Sequence, residues 1–271
     1  MKIKAYFITY NNNLELNKTL KSFEKSGITN YDYEISVINN CKDSPVILDD
    51  INIPIKIITN ETRPSFSTGH LSRNWNECLI DGFQDIDNPS SDIVILSQND
   101  VDYNENIMEN LIEYHNKFSF IQSGNGDSFH SYTVESIKSV GLWDERFCNI
   151  GWQDCDYFLR QYLYNKQSTI NDVAHGRINN PIDYNFINVE KISGFYRNDS
   201  HHMKSIQYHN ISMTTFINKW GLGVPGMNWS NHLDINSDHV LKSPQWIMYP
   251  FFENKIINLK NKNYINYEKQ N

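Results

Sequence analysis

The stretch Asp92-Ile93-Val94-Ile95-Leu96-Ser97-Gln98-Asn99-Asp100-Val101-Asp102 decides how this chain is read. Its apolar run predicts a strand over Asp92 to Ser97, and the strand empties into amides and carboxylates. In an open parallel sheet, ligands bind beyond the carboxyl ends of the strands, because the strand-to-helix loops converge there. Asp100 and Asp102 stand at i and i+2; in an extended segment they point to one side and can share a divalent cation. Oxygen ligands of this kind suit Mg2+ or Mn2+ and leave positions open for phosphate. An isolated Asp-x-Asp also reads as a solvated loop with Asx turns.

Outward from this strand, short β-rich runs alternate with helical patterns, as in an α/β protein whose twisted, mostly parallel sheet is flanked by helices. Lys4 to Thr9 is the first strand. Leu16, Leu20 and Phe23 recur at helical spacing and Gly27 offers a left-handed stop, predicting a helix over about Leu14 to Ser26. Ile35 to Ile38 and Ile55 to Thr59 follow as strands. Leu71, Trp75, Leu79 and Phe83 mark one face of a helix that begins after Gly69. Ile107, Leu111, Ile112 and His115 mark another, and Tyr132 to Val140 a shorter one. Further helices are predicted over Asp154 to Lys166 and Ile211 to Trp220. Between them come a turn at Asn179-Asn180-Pro181 and strands over Phe186 to Val189 and Ile192 to Tyr196. No internal repeat and no Gly/Ser-rich linker divides the chain.

The 271 residues are 39% hydrophobic and 13% aromatic, enough to bury a core without disulfide staples and too apolar for a disordered polymer. With 24 basic and 32 acidic residues the formal net charge is -8, and neither sign forms a block. That disfavours an electrostatic grip on nucleic acid or an anionic membrane. No apolar run approaches the roughly 18 residues a membrane span needs. The run Ala5 to Tyr10 stops at Asn11-Asn12-Asn13, too short for a secretory signal, so a cytoplasmic protein is expected. Cys41, Cys78, Cys148 and Cys155 include no CxxC pair, which points to reduced packing thiols rather than a zinc or redox motif.

A series of short segments then falls in a telling order. Phe7-Ile8-Thr9-Tyr10-Asn11, Ser72-Arg73-Asn74 and Asp100-Val101-Asp102 come first. Val140-Gly141-Leu142-Trp143-Asp144-Glu145-Arg146-Phe147, Gly151-Trp152-Gln153-Asp154-Cys155-Asp156 and Lys219-Trp220-Gly221 follow. Over about Lys2 to Gly221 the series resembles family 2 glycosyltransferases of the GT-A fold. The resemblance implies a Rossmann-like GT-A domain over residues 1–225, with residues 226–271 a C-terminal extension on the acceptor side or for oligomerisation. It implies that Thr9, Tyr10 and Asn11 border the base of a nucleoside diphosphate sugar and that Arg73 and Asn74 lie near the nucleotide. Where the family has an acid ending strand two, this chain has Asn39 and Asn40. An amide can still accept from and donate to a uracil imide, so a UDP-sugar remains the expected donor.

The resemblance further implies that Asp102, with Asp100 beside it, holds Mn2+ or Mg2+, and that a histidine is the third protein ligand. Two positions compete: His175, and His202 of the pair that precedes Lys219-Trp220-Gly221. A loop inserted between Asn171 and Asp199 would favour His202. Asp154, read alone, is an N-cap or first-turn acid whose anionic form the helix dipole favours. The resemblance makes it the base that takes the acceptor's proton. Arg73, read alone, is a surface arginine, or a cation at a helix start facing a diphosphate. Trp143 and Trp152 bracket the segment leading to Asp154, either as acceptor-groove platforms for sugar rings or as packing anchors. Asp144 and Asp156 could bond sugar hydroxyls, although Asp156 lies about 200° around a helix from Asp154.

The expected activity is metal-dependent, inverting transfer of a hexosyl or N-acetylhexosaminyl group from a UDP-sugar to a hydroxyl of a glycan or glycoconjugate. No nucleic acid partner and no transmembrane segment are expected, and self-association is left open. A nucleotidyltransferase is one alternative; it would carry a Gly-rich phosphate loop after strand one, where this chain has Asn11-Asn12-Asn13. A module that binds a nucleotide sugar or glycan without turnover is the other.

Overall fold

β1 (Lys2–Thr9) is buried on both faces from its second residue onward, so it belongs at the centre of a sheet rather than at an edge. In the computed structural model, which describes residues 1–61, 71–123, 127–147, 152–157, 187–188 and 210–216, β1 does lie there. It pairs in parallel with β2 (Asp32–Asn39) on one side and with β4 (Ile93–Gln98) on the other. β3 (Lys56–Thr59) extends the parallel half beyond β2. Beyond β4 the direction reverses: β7 (Phe129–Tyr132) pairs antiparallel with β4, and β6 (Phe120–Ser123) antiparallel with β7. The six strands therefore run β3-β2-β1-β4-β7-β6. This is the mostly parallel, Rossmann-like sheet flanked by helices expected from the sequence.

Strand alternation divides the core in two. Tyr6, Ile8, Val94 and Leu96 face α2 (Leu71–Phe83) and α4 (Val134–Val140), where they pack with Trp75, Leu79, Phe83 and Val140. Ala5, Phe7, Ile93 and Ile95 face α1 (Asn13–Glu24) and α3 (Ile107–His115), where they pack with Leu16, Leu20, Phe23, Met108 and Leu111. Asn12 caps α1 by accepting from the Glu15 amide, and Gly27, at φ 89°, makes the left-handed turn beyond its end. α2 presses on the sheet at Gly82, where an added Cβ would stand 2.5 Å from Val94 Cγ2.

The structure departs from the sequence reading chiefly at the antiparallel half. β6 and β7 carry no clean alternation, and Tyr132, expected to open a helix, ends β7 instead, with α4 starting at Val134. Gln122, His130 and Ser131 are buried there, so these strands lack the apolar face that marks a strand in sequence. Residues 153–157 and 210–216 are helical, each beginning one residue before the helix expected there. Of the strand expected over Phe186 to Val189, Ile187–Asn188 form β8, which pairs antiparallel with β5 (Asp102–Tyr103). The turn at Asn179-Asn180-Pro181, the strand over Ile192 to Tyr196, and residues 226–271 lie outside the described residues. Cys41, Cys78 and Cys155 are buried thiols in no disulfide with one another, and Cys148 lies outside the described residues. No helix among the described residues is long and apolar enough to cross a membrane.

Candidate functional site

The sheet register brings the ends of the strands to one edge. Thr9 is level with Asn39, and Asn39 with Thr59, while Ile8 is level with Gln98. Because β7 runs opposite to β4, its beginning rather than its end reaches this edge, with Ser97 level with Phe129. The residues just before β7 therefore meet the end of β4. The Gln98 amide N–H donates to the Ser128 carbonyl at 2.9 Å, and Gln98 Nε2 donates to Asp127 Oδ1 at 2.6 Å.

The Asp100-Val101-Asp102 segment is fixed by the residues between and after its carboxylates. Val101 and Tyr103 are buried. The Val101 N–H donates to Thr19 Oγ1 at 3.1 Å and the Tyr103 N–H to Ser22 Oγ at 3.0 Å, so two α1 hydroxyls hold the loop. Tyr103 Oη reaches Ser97 Oγ at 2.6 Å, and its ring packs on Phe7, Phe23 and Phe129. Asp100 is left half-buried and Asp102 exposed. One expectation is corrected: the two carboxylates do not share an extended segment, because residues 99–100 form a turn and strand conformation resumes only at Asp102. The same-side rule for i and i+2 does not govern them.

On the other side of β1, the residues expected around the nucleotide are tied to one another. Asn39 Nδ2 donates to the Ser44 carbonyl at 2.9 Å and its Oδ1 accepts from the Cys41 N–H at 3.0 Å, so the amide shapes the loop after β2. Asn40 and Asn74 are joined side chain to side chain, Nδ2 to Oδ1, at 2.9 Å. Thr9 Oγ1 accepts from Asn99 Nδ2 at 3.2 Å, linking the ends of β1 and β4. Tyr10 is half-buried, and Asn11 is exposed with a left-handed φ of 49°, a conformation an asparagine adopts more readily than most residues.

Four successive α2 residues reach three different loops, since each step turns the helix by about 100°. Arg73 Nε lies 3.7 Å from Glu145 Oε2 with its side chain half exposed. Asn74 meets Asn40, as above. Trp75 Nε1 donates to Asp127 Oδ2 at 3.3 Å. Asn76 clamps Trp143 in both directions, accepting from its N–H at 2.8 Å and donating to its carbonyl at 2.9 Å, and reaches Glu145 Oε1 at 2.9 Å.

Trp143 and Trp152 prove to be packing anchors, which corrects the acceptor-platform reading. Trp143 stacks on Tyr157 at 4.3 Å between ring centroids and donates from Nε1 to Tyr132 Oη, leaving no indole face exposed. Trp152 is also buried, with its ring 5.2 Å from that of Phe216. Its φ of 73° is costly for a bulky residue, and burial of the indole holds that backbone turn immediately before Asp154. Asp144 is buried in a bidentate pair with Arg146, which removes it as a sugar ligand, and Asp156 is fully buried.

Asp154 is half-buried, and its Oδ1 accepts from the Cys155 N–H at 3.0 Å. The residue before it, Gln153, donates from Nε2 to Asp127 Oδ2 at 3.1 Å. Asp127 is thus the residue that sequence reasoning missed. Burial, and then the Asp154 charge, push its carboxyl up to about 7. The signal available beforehand was a lone acid in a Gly-rich turn, which ordinarily marks a solvated loop.

As a place for a divalent cation, Asp100 and Asp102 offer the right chemistry, hard carboxylate oxygens on a pinned backbone. Among the described residues no group of three or more His, Cys, Asp and Glu could hold a metal ion. His175 and His202, the expected third ligands, lie outside the described residues. His115 is half-buried and His130 buried, and loss of hydration pushes them down to about 4 and about 3, so both imidazoles are neutral.

No family model and no curated protein matches the chain. Among solved structures, S. aureus TarS is similar at 13% identity over 60% of this chain and 34% of its own, with a TM-score of 0.41. TarS 1-349 is similar at 13% identity over 80% of this chain and 72% of its own, with a TM-score of 0.44. Mannosyltransferase PcManGT from Pyrobaculum calidifontis, solved in complex with GDP-Man and Mn2+, is similar at 10% identity over 97% of this chain and 86% of its own, with a TM-score of 0.44. The chain thus spans about a third of the TarS chain it matches, at 34%. The fold class rests on the strand order and register described above.

Proposed function

We propose that this chain is a metal-dependent glycosyltransferase that moves a sugar, hexosyl or N-acetylhexosaminyl, from a UDP-sugar to a hydroxyl of a glycan or glycoconjugate. One observation carries the reading. The sheet edge that bears Asp100 and Asp102 also bears Asp127, whose carboxyl is bonded to Gln98 and Gln153 and feels the charge of Asp154. Acidic motifs distant in the chain therefore meet at one edge, where an α/β sheet binds its ligand.

In this reading Asp154 accepts the acceptor's proton as the acceptor oxygen bonds to the anomeric carbon. The bond from that carbon to the diphosphate breaks with its electron pair leaving on the diphosphate, and the configuration inverts. When bound, the cation held by Asp100 and Asp102 supplies positive charge for the developing diphosphate anion. Tyr10 and Asn11 lie at the end of β1 to meet the base, and Asn39 contributes by shaping the loop after β2. Arg73, bridged to Glu145, contributes charge toward the phosphates. Residues 226–271 are proposed to serve acceptor binding or self-association.

A panel of nucleotide sugars screened for Mn2+-stimulated nucleotide release tests this, with Asp102→Ala and Asp154→Asn as variants. Release from one donor, lost in Asp102→Ala, with Asp154→Asn still binding that donor but not transferring, supports the reading. Binding without turnover in the native chain favours a binding module, and unchanged turnover in Asp154→Asn removes Asp154 from the mechanism.

A further inference from the structure

Asp127 is 5% exposed, and its side-chain hydrogen-bond donors among the described residues are neutral. From β4 it meets Gln98, from α2 Trp75, and from residues 152–157 Gln153, the residue next to Asp154 in the chain. All three hydrogen-bond donors are uncharged, an indole and two amides. Among the described residues the titratable group acting on it is another acid, Asp154; the neighbouring Cys155 thiol is pushed upward by burial and stays neutral. A buried carboxylate with neutral donors and a like charge beside it gives up its proton reluctantly. A solvated loop acid has no need of such an enclosure, and an apolar or amide side chain would fill the space without the electrostatic cost.

We propose that Asp127 and Asp154 act as a carboxyl pair that shares one proton, with Asp127 the positioning residue that sets the basicity of Asp154. While Asp127 is protonated, the single charge resides on Asp154, the more exposed partner. When Asp127 ionises, its charge repels that of Asp154 and raises the affinity of Asp154 for a proton, making Asp154 a stronger base. The site thus gains basic strength as pH rises through the second ionisation of the pair. The consequence for turnover rests on the glycosyltransferase reading; the pair itself does not.

Carbon-13 NMR titration of aspartate-labelled full-length chain tests the pair without recourse to activity. The native protein is expected to show one carboxyl titrating at about 7, where burial and the Asp154 charge place Asp127. That signal disappears in Asp127→Asn and moves to lower pH by about one pH unit or more in Asp154→Asn. No carboxyl titrating above about pH 6 in the native protein, or a signal unmoved in Asp154→Asn, overturns the pairing. For the positioning role, the pH profile of sugar transfer is expected to inflect with the NMR signal and to lose that inflection in Asp127→Asn. A native profile without the inflection, in an active enzyme, overturns that role. A shifting NMR signal with no turnover on any nucleotide sugar supports the pair and refutes only the proposed function.

Discussion

Asn76 is the position where a single small change bears most directly on how the site is assembled. Its side chain is fully buried and makes three hydrogen bonds, two to the backbone of Trp143 and one to Glu145. Asn76→Ala strands the Trp143 N–H and carbonyl beneath a packed indole, while Glu145, on the rim, can turn to water. Each stranded buried group costs about 1–3 kcal/mol. Alanine returns roughly 0.5 kcal/mol of helix propensity. The expected net loss is about 1.5–5.5 kcal/mol, a large share of the roughly 5–15 kcal/mol that holds a domain folded. Asn76→Asp separates hydrogen bonding from space filling. It retains an acceptor for the Trp143 N–H but sets a second oxygen against the Trp143 carbonyl and the Glu145 carboxylate. It should therefore be no more stable than Asn76→Ala at about pH 7.5, and recover at about pH 4 as the new acid is protonated. Urea unfolding followed by tryptophan fluorescence reads both variants. A loss below about 0.5 kcal/mol for Asn76→Ala, within ordinary surface-substitution scatter, or native stability for Asn76→Asp at neutral pH, would refute the clamp.

Two further outcomes follow from burial and close approach. Gly82→Ala puts a methyl 2.5 Å from Val94 Cγ2 and 3.1 Å from Cγ1 in a packed core, so the overpacking cost of about 1–3 kcal/mol should outweigh the roughly 1 kcal/mol gain in helix propensity. A raised melting temperature would show that α2 does not press on β4 there. Asp127 binds its proton more tightly folded than unfolded, at about 7 against 3.8, so its contribution to stability is full below about pH 4 and fades as pH rises through about 7. At 1.36 kcal/mol per pH unit the limiting change is about 4 kcal/mol. The native urea midpoint should fall between pH 5 and pH 8 by more than that of Asp127→Asn, and equal falls would count against a buried acid.

The parallel half of the fold was legible because its strands are apolar on both faces and its helices carry regular stripes. Leu71, Trp75, Leu79 and Phe83 gave the buried stripe of α2, and Leu16, Leu20 and Phe23 that of α1. Burial also decided what was misjudged. Trp143 and Trp152 are large aromatics near a suspected base, and pattern alone does not say whether a ring faces sugar or core; here the positive φ of Trp152 and the stack of Trp143 on Tyr157 turn both inward. Asn39, Asn74 and Asn76 look alike in sequence, yet one shapes the loop after β2, one joins α2 to Asn40, and one grips Trp143. Amide side chains carry both donor and acceptor, so their targets emerge only when the loops are in place.

Asp127 escaped notice for a topological reason. In a wholly parallel sheet, the residues before a strand lie at the edge opposite the ligand, and an acid there would be structural. Reversal at β7 moves the start of that strand to the ligand edge, beside Gln98. Nothing local in Asp127-Ser128-Phe129 announces the reversal, because β6 and β7 bury Gln122, His130 and Ser131 where an apolar pattern would have marked them. The same reversal gives this edge a carboxyl that neither the Asp100-Val101-Asp102 motif nor the helix bearing Asp154 supplies. A neutral residue at 127 could keep the hydrogen bonds to Trp75 and Gln153 without the burial cost, so stability alone does not account for the acid. The role proposed for it in the protonation of Asp154 does.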